Sequence, residues 1–179
     1  MIANAKINSM ELRLARAADA ARLAELGARS FTVKFGQLYR RGDLSAYLAE
    51  SHSEAAVAGE IADPDMHVML ALDGERLLGF CKLVMDCAWP EHARGSKAIE
   101  LRQLYTDPDA TGRGIGTRLM DWALEEARRF GADEIQLSVY SENHGAQKFY
   151  ARYGFEKIAD TYFMVGQHRD EEFLFARML

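Results

Sequence analysis

Residues 98–117 read AIELRQLYTDPDATGRGIGT, and the rest of the chain is read outward from them. The first half, Ala98 to Thr106, has the pattern of a strand and stops at Asp107-Pro108, where the proline ring fixes φ and bars continuation. A period of two predicts Glu100, Arg102, Leu104 and Thr106 on one side and Ile99, Leu101, Gln103 and Tyr105 on the other. Neither side is uniformly apolar, so one is expected to line a pocket. The second half, Thr111-Gly112-Arg113-Gly114-Ile115-Gly116-Thr117, is a glycine-rich turn that opens a helix. Glycines let the main chain turn tightly around a ligand, and a helix start offers unpaired N–H donors and the positive end of its dipole. A phosphate or pyrophosphate suits such a cradle, with hydroxyls from Thr111 and Thr117 and charge from Arg113. A glycine-rich helix entry without a ligand is the competing reading.

Downstream, Gly114 to Phe130 carries Ile115, Leu119, Trp122, Ala123, Glu126 and Phe130 at helical spacing. Glu134 to Val139 is a short strand, and Asn143 to Tyr153 a helix ended by Gly154. Phe155 to Val165 and Glu172 to Leu179 form a closing strand pair around the polar turn Gly166 to Glu171. Upstream, Met66 to Leu72 and Arg76 to Cys87 flank the hairpin signal Asp73-Gly74, and residues 88–97 form a polar loop. Before these come a strand at residues 7–14, a helix from Asp19 to Arg29, and two more helices, Asp43 to Glu50 and Ser53 to Ile61. The order β, helices, β-β-β, α, β, α, β-β shows no repeat or linker and predicts a single α/β domain over residues 1–179.

At 179 residues, with 49% hydrophobic and 27% charged side chains, the chain has the make-up of a globular protein, not a disordered one. No apolar run approaches the ~18 residues of a membrane helix, and the N-terminal stretch lacks a signal-peptide pattern; a cytoplasmic protein is expected. Cys81 and Cys87, read on one strand, are too far apart along it for a disulfide and are expected as free thiols. A net charge of -5 argues against a nucleic-acid surface. Between Arg41 and Arg76 there is no lysine or arginine but eight acids, Asp43, Glu50, Glu54, Glu60, Asp63, Asp65, Asp73 and Glu75. They form either a solvated face or a surface that draws a cationic small molecule.

The turn at 111–117 fails the Walker A spacing, because Thr117 and Arg118 follow Gly116 where lysine and a hydroxyl residue are needed, and its G-x-G-x-G is not the Rossmann G-x-G-x-x-G. Thr111-Gly112-Arg113-Gly114-Ile115-Gly116 instead resembles the [QR]-x-x-G-x-[GA] loop of the GNAT family of N-acetyltransferases, with threonine in place of the first glutamine or arginine. Leu101 to Pro108 is similar to that family's L-Y-V-x-P strand end. Val139, Asn143, Ala146, Phe149-Tyr150 and Gly154-Phe155 match its V-x-x-x-N-x-x-A-x-x-F-Y-x-x-x-G-F signature. Phe35 to Leu48, Phe163 to Gly166 and Glu172 to Leu179 are similar to a bacterial branch associated with polyamine acetylation. The resemblance implies a mixed, mostly antiparallel sheet of about seven strands with helices on both faces, and acetyl-CoA as cofactor. It implies that Thr111, Gly112, Arg113, Gly114, Ile115, Gly116 and Thr117 hold the cofactor's phosphates. Leu104, Tyr105 and Thr106 would pair with the pantetheine arm, and Asn143 would touch it or cap its helix.

Transfer of acetyl from a thioester to an amine needs close approach, an oxyanion donor, a base for the ammonium and an acid for the leaving thiolate. By the resemblance Tyr150 is the acid; by its residue type alone it is equally a packed aromatic. Glu100, an acid inside a strand, is the candidate base, against the alternative of a charge paired with Arg102 or a lysine. The backbone near Leu104 or Tyr105 is the candidate oxyanion donor. The histidines have no metal-ligand spacing, and Ser138 and Cys81 have no nucleophile context, so no metal and no covalent enzyme intermediate are expected. The function expected is N-acetylation of a primary amine, a polyamine first, with protein N-termini or lysines, amino-acid analogues and aminoglycosides open, and a non-catalytic acyl-CoA sensor as the rival class. A small-molecule amine is the expected partner, with no nucleic acid and no membrane. The closing strand pair, rich in Phe173, Leu174, Phe175, Met178 and Leu179, either closes the sheet or meets a second copy as a homodimer.

Overall fold

The structure is a computed structural model that describes residues 10–179. The first strand, β1, is Met10–Leu14, and residues 7–9 of the expected strand lie outside the described residues. Around Asp73-Gly74, with Gly74 at φ +60°, β2 (Met66–Asp73) and β3 (Arg76–Val84) pair antiparallel. The remaining strands are β4 (Ala98–Thr106), β5 (Glu134–Tyr140), β6 (Glu156–Val165) and β7 (His168–Met178). Helices α1 (Ala20–Phe35), α2 (Arg41–Ser51) and α3 (Glu54–Ala62) precede the hairpin. Helix α4 (Ile115–Phe130) joins β4 to β5, and α5 (His144–Arg152) joins β5 to β6.

The strands form one mixed sheet in the order β1-β2-β3-β4-β5-β7-β6, antiparallel except where β4 meets β5. That one parallel contact requires a crossover, and α4 supplies it. The sheet has the expected seven strands, with helices on both faces. On one face α4 buries Ile115, Leu119, Met120, Ala123, Leu124 and Ala127, at spacings of three and four, against Ile99, Leu101, Ile135, Leu137 and Phe175. Leu119, with no exposed surface, contributes about 1.5–3 kcal/mol by burial alone. On the other face α1 and α3 bring Leu23, Leu26 and Val57 onto Val68, Leu70 and Phe80. No helix among the described residues is long and apolar enough to cross a membrane.

Several elements differ from the sequence pattern for identifiable reasons. Helix α1 runs on to Phe35, because Phe31 is buried and Phe35 and Tyr39 stand beside it. Asp19 precedes that helix but makes no capping bond; its buried carboxylate accepts from Arg13 at 2.7 and 2.8 Å, from Arg16 N at 2.7 Å and from Arg22. The hydrogen bonds from Arg13 lead in holding that carboxyl well below its ordinary value. Strand β3 ends at Val84, so the two cysteines do not share a strand: Cys81 is buried in β3 and Cys87 lies in the following loop, where its Sγ is 3.1 Å from Gln136 Oε1. That loop is tied down by acids at the start of β5: Glu134 Oε2 accepts from Arg94 N and Gly95 N, and Asp133 from Ser96 N and Lys97 N. The closing turn is shorter than expected, because β7 begins at His168 and pairs through Asp170 and Glu172 with β6.

The strict alternation read for β4 fails at one residue. Lys82 pairs with Gln103 while the next residue, Leu83, pairs with Leu101, so Arg102 is the extra residue of a β-bulge. Ile99, Leu101 and Leu104 therefore face α4, while Glu100, Gln103 and Tyr105 lie on the face of α1 and α3.

Candidate active site

Strands β4 and β5 pair at only three positions, Ala98↔Glu134, Ile99↔Ile135 and Glu100↔Gln136. Beyond them β4 stays on β3 through Thr106, while β5 follows β7 through Tyr140↔Glu172. The bulge at Arg102 adds twist at the point where the two part. Among the described residues, the β5-facing edge of β4 along Leu104, Tyr105 and Thr106 thus has no strand partner, and an extended ligand can pair with it as a strand would.

The glycine-rich turn lies just past the end of this edge. Gly112 and Gly114 take φ values of +77° and +74°, which a residue with a side chain adopts only under strain. Gly114 stands at the N-cap of α4 with no side-chain cap, and the first intrahelical bond at this end is Arg118 N to Gly114 O at 3.1 Å. The N–H groups of Ile115, Gly116 and Thr117 are therefore free of helical partners and point out of a 16-residue helix. The Ile115 side chain is core, so that residue can serve a ligand only through its main chain. Arg113 is already engaged, donating to Asp73 at 3.2 Å, so the cradle rests on backbone donors and the exposed Thr111 and Thr117. Those donors fit a diphosphate.

From the α4 side, α5 presents Tyr150, whose ring meets Phe149 at 5.5 Å and Phe155 at 5.9 Å. Burial, with a smaller effect of the Cys81 thiol, raises its hydroxyl well above an ordinary phenol. Asn143 caps this helix by accepting from Ala146 N at 3.3 Å. From the other side Tyr105 packs on Phe80 at 5.4 Å. Burial raises Tyr105 strongly, and the next contributions come from Tyr47, Tyr150, Glu172 and Tyr39. Tyr105 therefore stands where groups of both faces come within electrostatic reach of each other.

The α1–α3 side holds more buried polar groups. Glu100, 8% exposed, accepts from Arg102 Nη2 at 2.8 Å. Lys82, 1% exposed, donates to Glu60 of α3 at 2.5 Å, and its pKa is lowered by burial. Phe31 meets Tyr47 at 4.6 Å and Tyr39 at 5.7 Å; Tyr47 meets Phe163 at 5.6 Å, and Phe35 meets Tyr140 at 6.1 Å. Among them His52 is buried with neither ring nitrogen hydrogen-bonded, and burial, helped by the Lys82 charge, lowers it to about 4. A cavity of about 330 Å³ adjoins this cluster, lined by Phe35, Leu38, Tyr140 and Asn143 with the exposed Lys34 and Glu142.

A family model described as "Acetyltransferase (GNAT) family" matches residues 29–155. The chain belongs to the GNAT acetyltransferase family. With the family comes the reaction class, an acetyl-CoA-dependent acetyl transfer. The chain is 28% identical over 155 residues to an uncharacterized N-acetyltransferase of Lactobacillus delbrueckii subsp. lactis, covering 86% of this chain and 88% of that one. It is 34% identical over 101 residues to the aminoalkylphosphonate N-acetyltransferase of Salmonella typhimurium, 56% of this chain and 63% of that protein. Its fold is that of the PaiA N-acetyltransferase of Thermoplasma acidophilum solved with coenzyme A, at a TM-score of 0.78 and 23% identity over 96% of this chain and 99% of that one.

Within this GNAT frame the residues singled out from the sequence gather around the parting of β4 and β5: the turn 111–117, the edge 104–106, and Asn143 and Tyr150 of the following helix. Glu100 lies at the last paired position, on the α1–α3 side. The acidic stretch 43–75 does not gather there. Glu50, Glu54, Asp63, Asp65 and Glu75 are exposed, and Glu60 and Asp73 are engaged with Lys82 and Arg113. Sequence reasoning missed Tyr39, Tyr47, His52, Lys82, Asp170 and Glu172. Lys82, a lone charge inside the apolar run of β3, was the one visible signal; the others come from separate elements and share no spacing.

Proposed function

We propose that this GNAT protein acetylates the primary amine of a small molecule, a polyamine being the first acceptor to try, with Tyr150 as general acid and Glu100 as general base. Acetyl-CoA supplies an acetyl group already activated as a thioester. Backbone N–H groups of Gly112 to Gly116 and the hydroxyls of Thr111 and Thr117 would hold its diphosphate, and the open edge at Leu104, Tyr105 and Thr106 its arm. A main-chain N–H at Leu104 or Tyr105 would donate to the carbonyl oxygen as charge builds on it. The amine reaches the carbonyl from the α1–α3 side, and its proton passes to Glu100 directly or through water. As the C–N bond forms and the C–S bond breaks, the Tyr150 hydroxyl would give its proton to the departing sulfur and regain one from the nitrogen, which sheds its second proton as the amide forms. A phenol is protonated at neutral pH, as an acid must be, and burial shifts Tyr150 further in that direction.

The observation that carries the reading is the unpaired edge of β4 between a backbone-lined anion cradle and the Tyr150 helix. The likeness to an aminoalkylphosphonate N-acetyltransferase supports a small-molecule amine. The test is thiol release from acetyl-CoA against spermidine, spermine, lysine, other amino acids, a basic peptide and an aminoglycoside. Tyr150→Phe is expected to lower kcat by about 10²–10⁴-fold with little change in acetyl-CoA affinity. Acceptor-independent release, or an unchanged kcat in Tyr150→Phe, overturns the assignment.

A further inference from the structure

On the α1–α3 side most buried charges are matched. Lys82 has Glu60 and Glu100 has Arg102, while Asp170 accepts from the Tyr39 hydroxyl through Oδ2 and its Oδ1, 3.1 Å from His168 Nε2, has no hydrogen bond. Glu172 is different. In the β5·β7 ladder it stands opposite Tyr140, and in β6·β7 opposite Thr161, which sets it on the face of Asp170, Leu174 and Phe163. Its carboxyl receives a hydrogen bond from Ser138, and among the described residues no cation pairs with it. Burial raises it above an ordinary carboxyl, and Asp170 adds to the effect. Glu172 is half-buried, and a carboxylate drawn partly out of water without a cation marks a candidate ligand site.

Two further observations concern the aromatic cluster to which Tyr47, Tyr105 and Tyr140 belong. His52, 5% exposed, sits 5.8 Å from Tyr47 and 6.3 Å from Tyr105 by ring centroids, with both nitrogens unpartnered. Tyr140, the cross-strand neighbour of Glu172, also walls the 330 Å³ cavity beside the parted strands. The carboxylate's cross-strand neighbour is Tyr140, and Phe163 stands two residues along β6 on the same face; Tyr140 meets Phe35 at 6.1 Å and Phe163 meets Tyr47 at 5.6 Å. Aromatic faces attract organic cations and cover apolar chains, and they offer nothing to a second carboxylate.

We infer that Glu172 receives the ammonium group of the acceptor, and that the aromatic walls of Tyr47, Tyr105, Tyr140 and Phe163 select an amine with an apolar body over amino acids and other zwitterions. This inference rests on the amine-acetylation reading above and names its substrate class; Glu172 is a binding residue, and proton removal stays with Glu100. An uncharged alcohol of the same length lacks the ion pair, and an amino acid brings a carboxylate to face Glu172.

The test uses the full chain loaded with CoA, and calorimetric titration with hexylamine, hexanol and norleucine. Hexylamine is expected to bind at least about tenfold more tightly than either of the others, about 1.4 kcal/mol. Glu172→Gln, nearly isosteric and still able to accept from Ser138, is expected to erase that preference, and Glu172→Asp to retain part of it. Equal hexylamine affinity in wild type and Glu172→Gln overturns the inference, as does a wild type that does not bind hexylamine. Thiol release separates the two levels. Acetylation of an amine with KM unmoved by Glu172→Gln keeps the transferase reading and removes this one. Glu172-dependent hexylamine binding without thiol release from any acceptor keeps the site and removes the transferase reading.

Discussion

Where α4 and α5 cover the sheet, the interior is apolar and the groups free to meet a ligand are main-chain N–H donors at Ile115, Gly116 and Thr117. Where α1, α2 and α3 cover it, Lys82, His52 and Asp170 are buried and Glu60, Gln103 and Glu172 half-buried among aromatic rings. On the proposed reading, the difference follows from what each side recognises. A diphosphate is met by backbone donors, which any residue carries, and only the tight turn needs glycine. An acceptor amine is met by side chains, and their burial carries a desolvation cost that must be offset locally. The acceptor side should therefore be the more fragile, and the more sensitive to pH.

The largest expected effect lies in the Lys82–Glu60 pair. Glu60→Ala leaves an ammonium that is 1% exposed without its partner and should destabilise the fold by about 3 kcal/mol in urea denaturation. Adding Lys82→Met should recover most of that loss. A cost below about 1 kcal/mol for Glu60→Ala would erase the contrast between the faces.

Next comes pH. His52 is lowered from an ordinary 6.5 to about 4, so the unfolded chain takes up a proton over a range in which the folded chain does not. Its neutral form supports the fold fully above pH 6.5, and that support is lost as pH falls toward 4. Between pH 7.5 and 5 the loss from this residue should be about 2 kcal/mol. His52→Phe, an aromatic in an aromatic cluster, should show a smaller fall in stability over the same interval; parallel pH profiles would acquit His52. The smallest effect is expected on the cofactor side. Thr111→Gln, which restores the residue more usual in GNAT loops, should tighten acetyl-CoA binding by about threefold, the size of one added hydrogen bond. No change there would mean that the backbone alone sets the affinity.

The cofactor side could be read in the sequence because its geometry constrains residue type at fixed spacing: Gly112 and Gly114 at positive φ, Asn143 at a cap, Pro108 after a strand end. The acceptor side could not. Tyr47 lies on α2, His52 just past it, Tyr105 on β4 and Glu172 on β7, and no period links them. Even inside β4 the alternation misled, because one bulge at Arg102 moved Tyr105 to the face opposite the one it shared on paper with Ile99 and Leu101.

By itself the sequence determined the element order, the hairpin at Asp73-Gly74, the α4 core stripe and the glycine turn that opens α4, since each follows from local sterics or from periodicity within one segment. Only the tertiary structure decided which strands part, which face each β4 side chain takes, and that Glu172 is half-buried with no cation beside it among the described residues. Strand pairing and burial depend on residues distant in the chain, and their free energies appear only when those residues meet.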